Sequence, residues 1–239
     1  AKVCGAGQWP DSNLMMPAHS HHTTASIKRI GVFGGTFDPV HLGHMGSAKA
    51  LLAAQNLDQI YFMPCQQHPH DKQPMANAEQ RLAMLNLAVQ GQSSFSVDDR
   101  ELARSGKSFT VDSLIDIREE VGEQAVLIFL LGSDAFAEFH RWQRWETIFS
   151  LANVAVIERA NAQSVQAIET VGLKQKINQA VDFVDAPSGQ MTIASLPPYP
   201  VSSTLLREQL LQASASSSLL TEFMSPQVLD YIYQQHLYR

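Results

Sequence analysis

Two histidines three positions apart, His41 and His44, close the string Gly31-Val32-Phe33-Gly34-Gly35-Thr36-Phe37-Asp38-Pro39-Val40-His41-Leu42-Gly43-His44. Imidazoles donate N–H bonds to phosphate oxygens at neutral pH, and more strongly when charged. In the first turn of a helix, residues at i and i+3 share a face and point at one ligand. Gly34 and Gly35 let backbone N–H groups approach a phosphate closely, because no Cβ stands in the way. Thr36 and Phe37 continue that loop, and Gly43 leaves flat backbone on which a planar ring could lie. The positive end of the following helix is aimed at the same place. These residue types at this spacing describe a nucleotide site.

A second group lies far along the chain, Ser202-Ser203-Thr204-Leu205-Leu206-Arg207. Hydroxyls and free N–H groups at a helix start hold anions, and the planar fork of Arg207, one turn beyond Ser203, can clamp a phosphate in two places. Taken alone, the same Ser-Ser-Thr is more often an ordinary helix N-cap. In Gly132-Ser133-Asp134, a short carboxylate at a strand end can accept both hydroxyls of a ribose, or Asp134 can cap the next helix. Trp142, in Phe139-His140-Arg141-Trp142, offers either a stacking face or plain core.

Elements that must position these groups follow from the apolar pattern. Strands are expected over Ile27–Phe33, Gln59–Pro64, Phe95–Val97, Ala125–Leu131, Asn153–Glu158 and Met191–Ile193. Between them, helical stretches run over Met45–Gln55 and Glu79–Val89, from Ser108-Phe109-Thr110 onward, through the aromatic stretch Ala135–Ser150, and over Gln163–Ala180. Ser225-Pro226 opens a last helix to Leu237. The run Ala125–Leu131 is apolar throughout, as suits a strand buried on both faces. Strand–helix alternation predicts an α/β fold: a Rossmann-like, doubly wound parallel sheet with helices on both faces and a small C-terminal helical appendage. In such sheets ligands bind at the carboxyl ends of the strands, where the Gly34, Gly132 and Ser202 segments converge.

The 239 residues are 45% hydrophobic and carry a net charge of −6, which argues against a general attraction for nucleic acid. No apolar run reaches the roughly 18 residues of a membrane span. Cys4 and Cys65 form neither a disulfide framework nor a metal-ligand spacing, and a cytoplasmic setting is expected. Residues 1–26 lack apolar periodicity and read as an N-terminal extension, with a single domain over 27–239 whose part from about 200 is helical. The glycines match neither G-x-x-x-x-G-K-[ST] nor G-x-G-x-x-G.

The string Gly34-Gly35-Thr36-Phe37-Asp38-Pro39, with His41 and Gly43-His44, resembles the GGTFDPxHxGH signature of the nucleotidyltransferase superfamily. It is most similar to the nicotinate mononucleotide adenylyltransferase family. Ser202–Arg207 resembles that family's second signature, SSTxxR, with Leu206 where isoleucine is usual. The resemblance spans about residues 28–239. It implies transfer of AMP from ATP to nicotinate mononucleotide, with Mg²⁺ carried by ATP and no metal site of the protein's own.

It further implies that His41, His44 and Arg207 carry catalysis. ATP would lie against Gly34, Gly35, Thr36, Phe37, Gly43, Gly132, Asp134, Ser202, Ser203 and Thr204. The mononucleotide would lie against Lys72, Ser108, Phe109, Thr110 and Trp142. Two departures stand out: Asp71 interrupts the family's Pro-His-Lys before Lys72, leaving that lysine either on phosphate or in solvent, and Phe109 replaces a tyrosine. Two other readings remain at this level: another adenylyltransferase, such as one acting on phosphopantetheine, and a nucleotide-binding regulator without catalysis. Oligomeric state is left open.

Overall fold

Among the described residues six parallel strands form one sheet in the order β3-β2-β1-β4-β5-β6. The computed structural model describes residues 27–66, 73–157, 186–194, 199–212 and 218–239. The N-terminal extension 1–26, the loop bearing Lys72 and the helix expected over 163–180 lie outside the described residues.

In chain order the elements are β1 (Arg29–Gly35), α1 (Leu42–Ala54), β2 (Gln59–Pro64), α2 (Ala78–Val89), β3 (Phe95–Val97), α3 (Arg100–Ala103) and α4 (Thr110–Val121). They continue with β4 (Val126–Gly132), α5 (Ser133–Ala137), a 3₁₀ turn (Phe139–Arg141), α6 (Trp145–Leu151), β5 (Asn153–Ile157) and β6 (Met191–Ala194). Toward the C-terminus the described residues form α7 (Ser203–Leu211), α8 (Ser218–Phe223) and α9 (Pro226–Gln234).

The order reverses at β1 and β4, so the chain winds outward on both sides of that pair, and helices cover both faces. β4 shows why it carries no polar residue. Val126, Ile128 and Leu130 face the core shared with Met45 and Leu51 of α1, Met84 and Leu85 of α2, Leu206 of α7 and Ile232 of α9. Leu127, Phe129 and Leu131 face the core shared with Leu114 and Ile117 of α4 and Phe149 of α6. Alternate side chains of one strand thus enter two separate cores.

Four details depart from the sequence reading. α1 starts at Leu42 rather than Met45, because the His41 N–H donates to Nδ1 of His44 at 3.2 Å and caps the extra turn. The aromatic stretch 135–150 is divided into α5, a 3₁₀ turn and α6, with Arg144 in the left-handed region at φ 49°. The short helices α3 and α8 are too brief to show a period. α9 ends at Gln234, and the last residues fold back to bury Leu237 and Tyr238.

At the amino ends of the strands, Arg118 of α4 fastens the sheet to its loops. Its guanidinium donates to the carbonyls of Gly122 (3.0 Å), Ala125 (2.7 Å), Leu151 (3.0 Å) and Pro187 (2.9 Å). No helix among the described residues is long and apolar enough to cross a membrane.

Candidate active site

The loop from Thr36 to His41 leaves the carboxyl end of β1 at the centre of the sheet. His41 is the N-cap of α1 and His44 its third residue. Their rings lie 3.7 Å apart at 31°, with Phe33 and Phe37 presenting edges to His44 at 6.1 and 5.1 Å. His41 is buried and His44 half-buried. Because Nδ1 of His44 accepts the His41 N–H, the ring proton of neutral His44 sits on Nε2, on the far side from the cap.

Two candidate residues play parts other than those expected. The flat patch at Gly43 is already covered: a Cβ there would stand 2.9 Å from Nδ1 of His41 and 3.0 Å from Val201, so the planar ring lying on it is that of His41. Phe37, with φ 51°, turns its side chain inward to 2% exposure, and its ring lies over Gly35, where a Cβ would come within 2.9 Å. Only its backbone is available to a nucleotide. Gly34 and Gly35 thus serve side-chain packing, Gly34 against Phe129, as well as leaving the loop open.

α7 is docked on the same loop. Ser202 is its N-cap, accepting the Leu205 N–H at 3.2 Å. The Ser203 hydroxyl donates to the Pro39 carbonyl at 2.9 Å, and Nη1 of Arg207 donates to the Asp38 carbonyl at 2.6 Å. Nη2 of Arg207 reaches the Thr204 hydroxyl at 3.2 Å. The two signatures, more than 160 residues apart, therefore meet. The side chain of Arg207, part of whose fork is spent on protein, stays 23% exposed and keeps further N–H donors.

Asp38, which stands in the first signature without an expected role, is the hub beneath them. Its buried carboxylate accepts the N–H groups of Met75 (2.8 Å) and Ala76 (3.0 Å) and the hydroxyl of Tyr238 (2.7 Å). Burial, and next the charge of Asp38, push the Tyr238 phenol far above its ordinary range, so it remains a donor.

On the next strand, Gly132 is the N-cap of α5 and Asp134 stands exposed in its first turn, so Asp134 is not the cap. Trp142 packs half-buried against Phe129 and Phe139, its buried Nε1 without a partner among the described residues. Phe109 is the N-cap of α4, 38% exposed, and Thr110 its first residue.

Behind Ser108–Thr110 stands a polar network that the sequence did not disclose. Nη1 of Arg104 donates to the hydroxyls of Ser108 (2.8 Å) and Ser113 (2.6 Å), and Nη2 pairs with Asp116. Glu101, 3% exposed, accepts the Ser113 hydroxyl at 3.2 Å. Burial pushes its carboxyl up to about 7, against partial relief from Ser113 and Arg104.

The folded chain thus holds this proton more tightly than the unfolded chain. Its stabilisation is complete below the ordinary glutamate range and is lost as pH rises through about 7. Glu101→Gln should therefore match the parent near pH 4 and exceed it at pH 8 by about 1–3 kcal/mol in urea unfolding. Equal stability of the two proteins at both pH values would show that Glu101 ionises at no cost.

Among the described residues no cluster of His, Cys, Asp or Glu could hold a metal ion. Burial also pushes the Cys65 thiol up, which leaves it inert beside Thr36.

The cytidylyltransferase-like family model matches residues 32–209. A protein of Laribacter hongkongensis, described as a probable nicotinate-nucleotide adenylyltransferase, is 38% identical over 211 residues, covering 88% of this chain and 94% of its own. A Pseudomonas aeruginosa protein of the same description is 39% identical over 215 residues, covering 89% and 98%. Among solved structures, the Plasmodium falciparum nicotinic acid mononucleotide adenylyltransferase complexed with NaAD superposes with a TM-score of 0.67 at 20% identity. It covers 88% of this chain and 97% of its own, a likeness of fold.

Proposed function

The chain belongs to the cytidylyltransferase-like family, alongside nicotinate-nucleotide adenylyltransferases, and on that premise we propose how its own residues transfer AMP from MgATP to nicotinate mononucleotide. The products are nicotinate adenine dinucleotide and pyrophosphate. The observation that carries this reading is the meeting of the His41–His44 pair and the start of α7 on one loop over β1.

A phosphate oxygen of the mononucleotide attacks the α-phosphorus of ATP. The bond from that phosphorus to the α,β-bridging oxygen breaks, and its electron pair leaves with pyrophosphate. No proton need move, so catalysis rests on alignment and on donors aimed at the growing negative charge. Nε2–H of His44 and the ring of His41 serve the bridging and α/β oxygens. Arg207, Ser203, Thr204 and the N–H groups opening α7 serve the β/γ oxygens. Mg²⁺ comes with ATP, keeping its waters and phosphate oxygens as ligands. Asp134 takes the ribose hydroxyls. The substrates are small anions, and the reading involves no nucleic acid or membrane and a cytoplasmic setting.

The nicotinate carboxylate is read at the start of α4. An anion is favoured there by the helix dipole and by N–H groups of the first turn, which have no partner within the helix. An amide offers these donors an NH₂ in place of one oxygen, leaving a buried group unpaired at about 1–3 kcal/mol each. With two such donors, kcat/KM for the acid should exceed that for the amide by on the order of 10²-fold. Pyrophosphate release from MgATP with nicotinate mononucleotide, its amide or phosphopantetheine tests the whole reading. Turnover of phosphopantetheine alone would move the chain to that neighbouring activity, and equal rates for acid and amide would remove α4 from the specificity.

A further inference from the structure

Arg81 is the most deeply buried cation among the described residues, at 1% exposure, and no carboxylate pairs with it there. An unpaired buried charge is costly, and a purely structural position of this size would be filled more stably by an apolar side chain. The nearby carboxylates are committed elsewhere: Asp38 to Met75, Ala76 and Tyr238, and Glu101 to Ser113. What Arg81 does hold is specific. Nη1 donates at 2.9 Å to the carbonyl of Thr36 and at 2.9 Å to that of Cys65, the residues that follow β1 and β2. Its Nε is buried with no partner among the described residues.

In a planar trans peptide the C=O and N–H point in opposite directions. With the Thr36 carbonyl drawn inward, the N–H of Phe37 is turned outward over the carboxyl end of β1. The left-handed backbone of Phe37 holds the loop in that attitude.

We propose that Arg81 is a positioning residue for the transferase: from beneath the loop it pins the Thr36 and Cys65 carbonyls, so that the Phe37 N–H and a fixed positive charge face the phosphates bound above. The inference rests on the reading that this loop holds the phosphates of ATP and its acceptor. It explains why a cation is kept in the core with no carboxylate paired to it among the described residues: the polyanionic substrate supplies the opposite charge. Electrostatics in such a water-poor site is felt through several ångströms of protein.

A matched control exists in Arg118, which likewise fastens backbone carbonyls but at the opposite end of the strands. The full-length Arg81→Met, Arg81→Lys and Arg118→Met proteins are compared with the parent in three measurements. These are Tm, MgATP affinity by calorimetry well below Tm, and kcat and KM for both substrates.

Arg118→Met should lower Tm and leave affinity and kcat/KM unchanged. Arg81→Met should weaken MgATP binding about tenfold and lower kcat/KM by more, whatever its Tm. Arg81→Lys, which keeps the charge but loses the fork, should fall between parent and Arg81→Met. Parent-like affinity and kcat/KM in Arg81→Met would overturn the proposal, as would an Arg118→Met protein that loses as much. If Arg81→Met does not fold, parent-like values in Arg81→Lys overturn it instead. A parent that binds MgATP but does not turn over nicotinate mononucleotide refutes the substrate assignment alone, because the affinity comparison still decides the role of Arg81.

Discussion

Replacing His44 by alanine is expected to lower kcat by about 10²–10³-fold, the usual cost of losing one preorganised donor to developing charge. The geometry states which atom is lost. Nδ1 is engaged by the His41 N–H, so in the proposed mechanism the donor that meets phosphate is Nε2–H. The ring cannot swing freely, since His41 lies against one face and the edges of Phe33 and Phe37 bound it elsewhere. Stability should fall by only about 1 kcal/mol, through the lost cap of α1. Two amides separate donor from cap. Glutamine reaches with its NH₂ to the place of Nε2, whereas the shorter asparagine mimics the Nδ1 side. Steady-state kinetics should rank His44→Gln above His44→Asn, and both above His44→Ala. His41→Ala should lose a similar factor in kcat and also destabilise, because the buried His41 ring fills the space over Gly43. Near-normal kcat in either alanine variant would take that histidine out of the mechanism.

The fold was legible because its signals are local. The apolar run of β4 needs two covered faces, and a doubly wound parallel sheet supplies them. The meeting of the two signatures followed from topology, since both segments sit at strand carboxyl ends. What stayed hidden was long-range polar pairing. Asp38 and Tyr238 are 200 residues apart, and nothing in either neighbourhood names the other. In the sequence Gly43 offers open backbone, whereas in the structure the ring covering it belongs to the histidine two positions earlier. Arg81 is a different case, for a signal existed. It precedes Met84 and Leu85 by three and four positions, so it lies on the buried stripe of α2, where a charged residue is out of place unless it holds something.

Truncation of Asp38 should be the most destabilising single change at the site, about 3–5 kcal/mol for Asp38→Ala. Three donors converge on that buried carboxylate, two backbone N–H groups that cannot move away and one phenol held by the folded C-terminus. Each buried donor left without an acceptor costs roughly 1–3 kcal/mol, and partial relaxation keeps the total below the simple sum. Asp38→Asn retains one acceptor oxygen but sets an NH₂ against a donor, so it should lose nearly as much. Tyr238→Phe removes a single donor together with its demand for a partner, and should cost only about 1 kcal/mol. Urea unfolding should therefore rank the proteins parent, Tyr238→Phe, Asp38→Asn, Asp38→Ala. Activity should fall in the same order even at temperatures where every variant is folded. The Asp38 and Pro39 carbonyls are what Arg207 and Ser203 grip, and a loop released from Met75 and Ala76 no longer presents them. An Asp38→Ala protein within 1 kcal/mol of the parent would mean that water replaces the carboxylate, and the loop would then owe its shape to Arg81 and α7 instead.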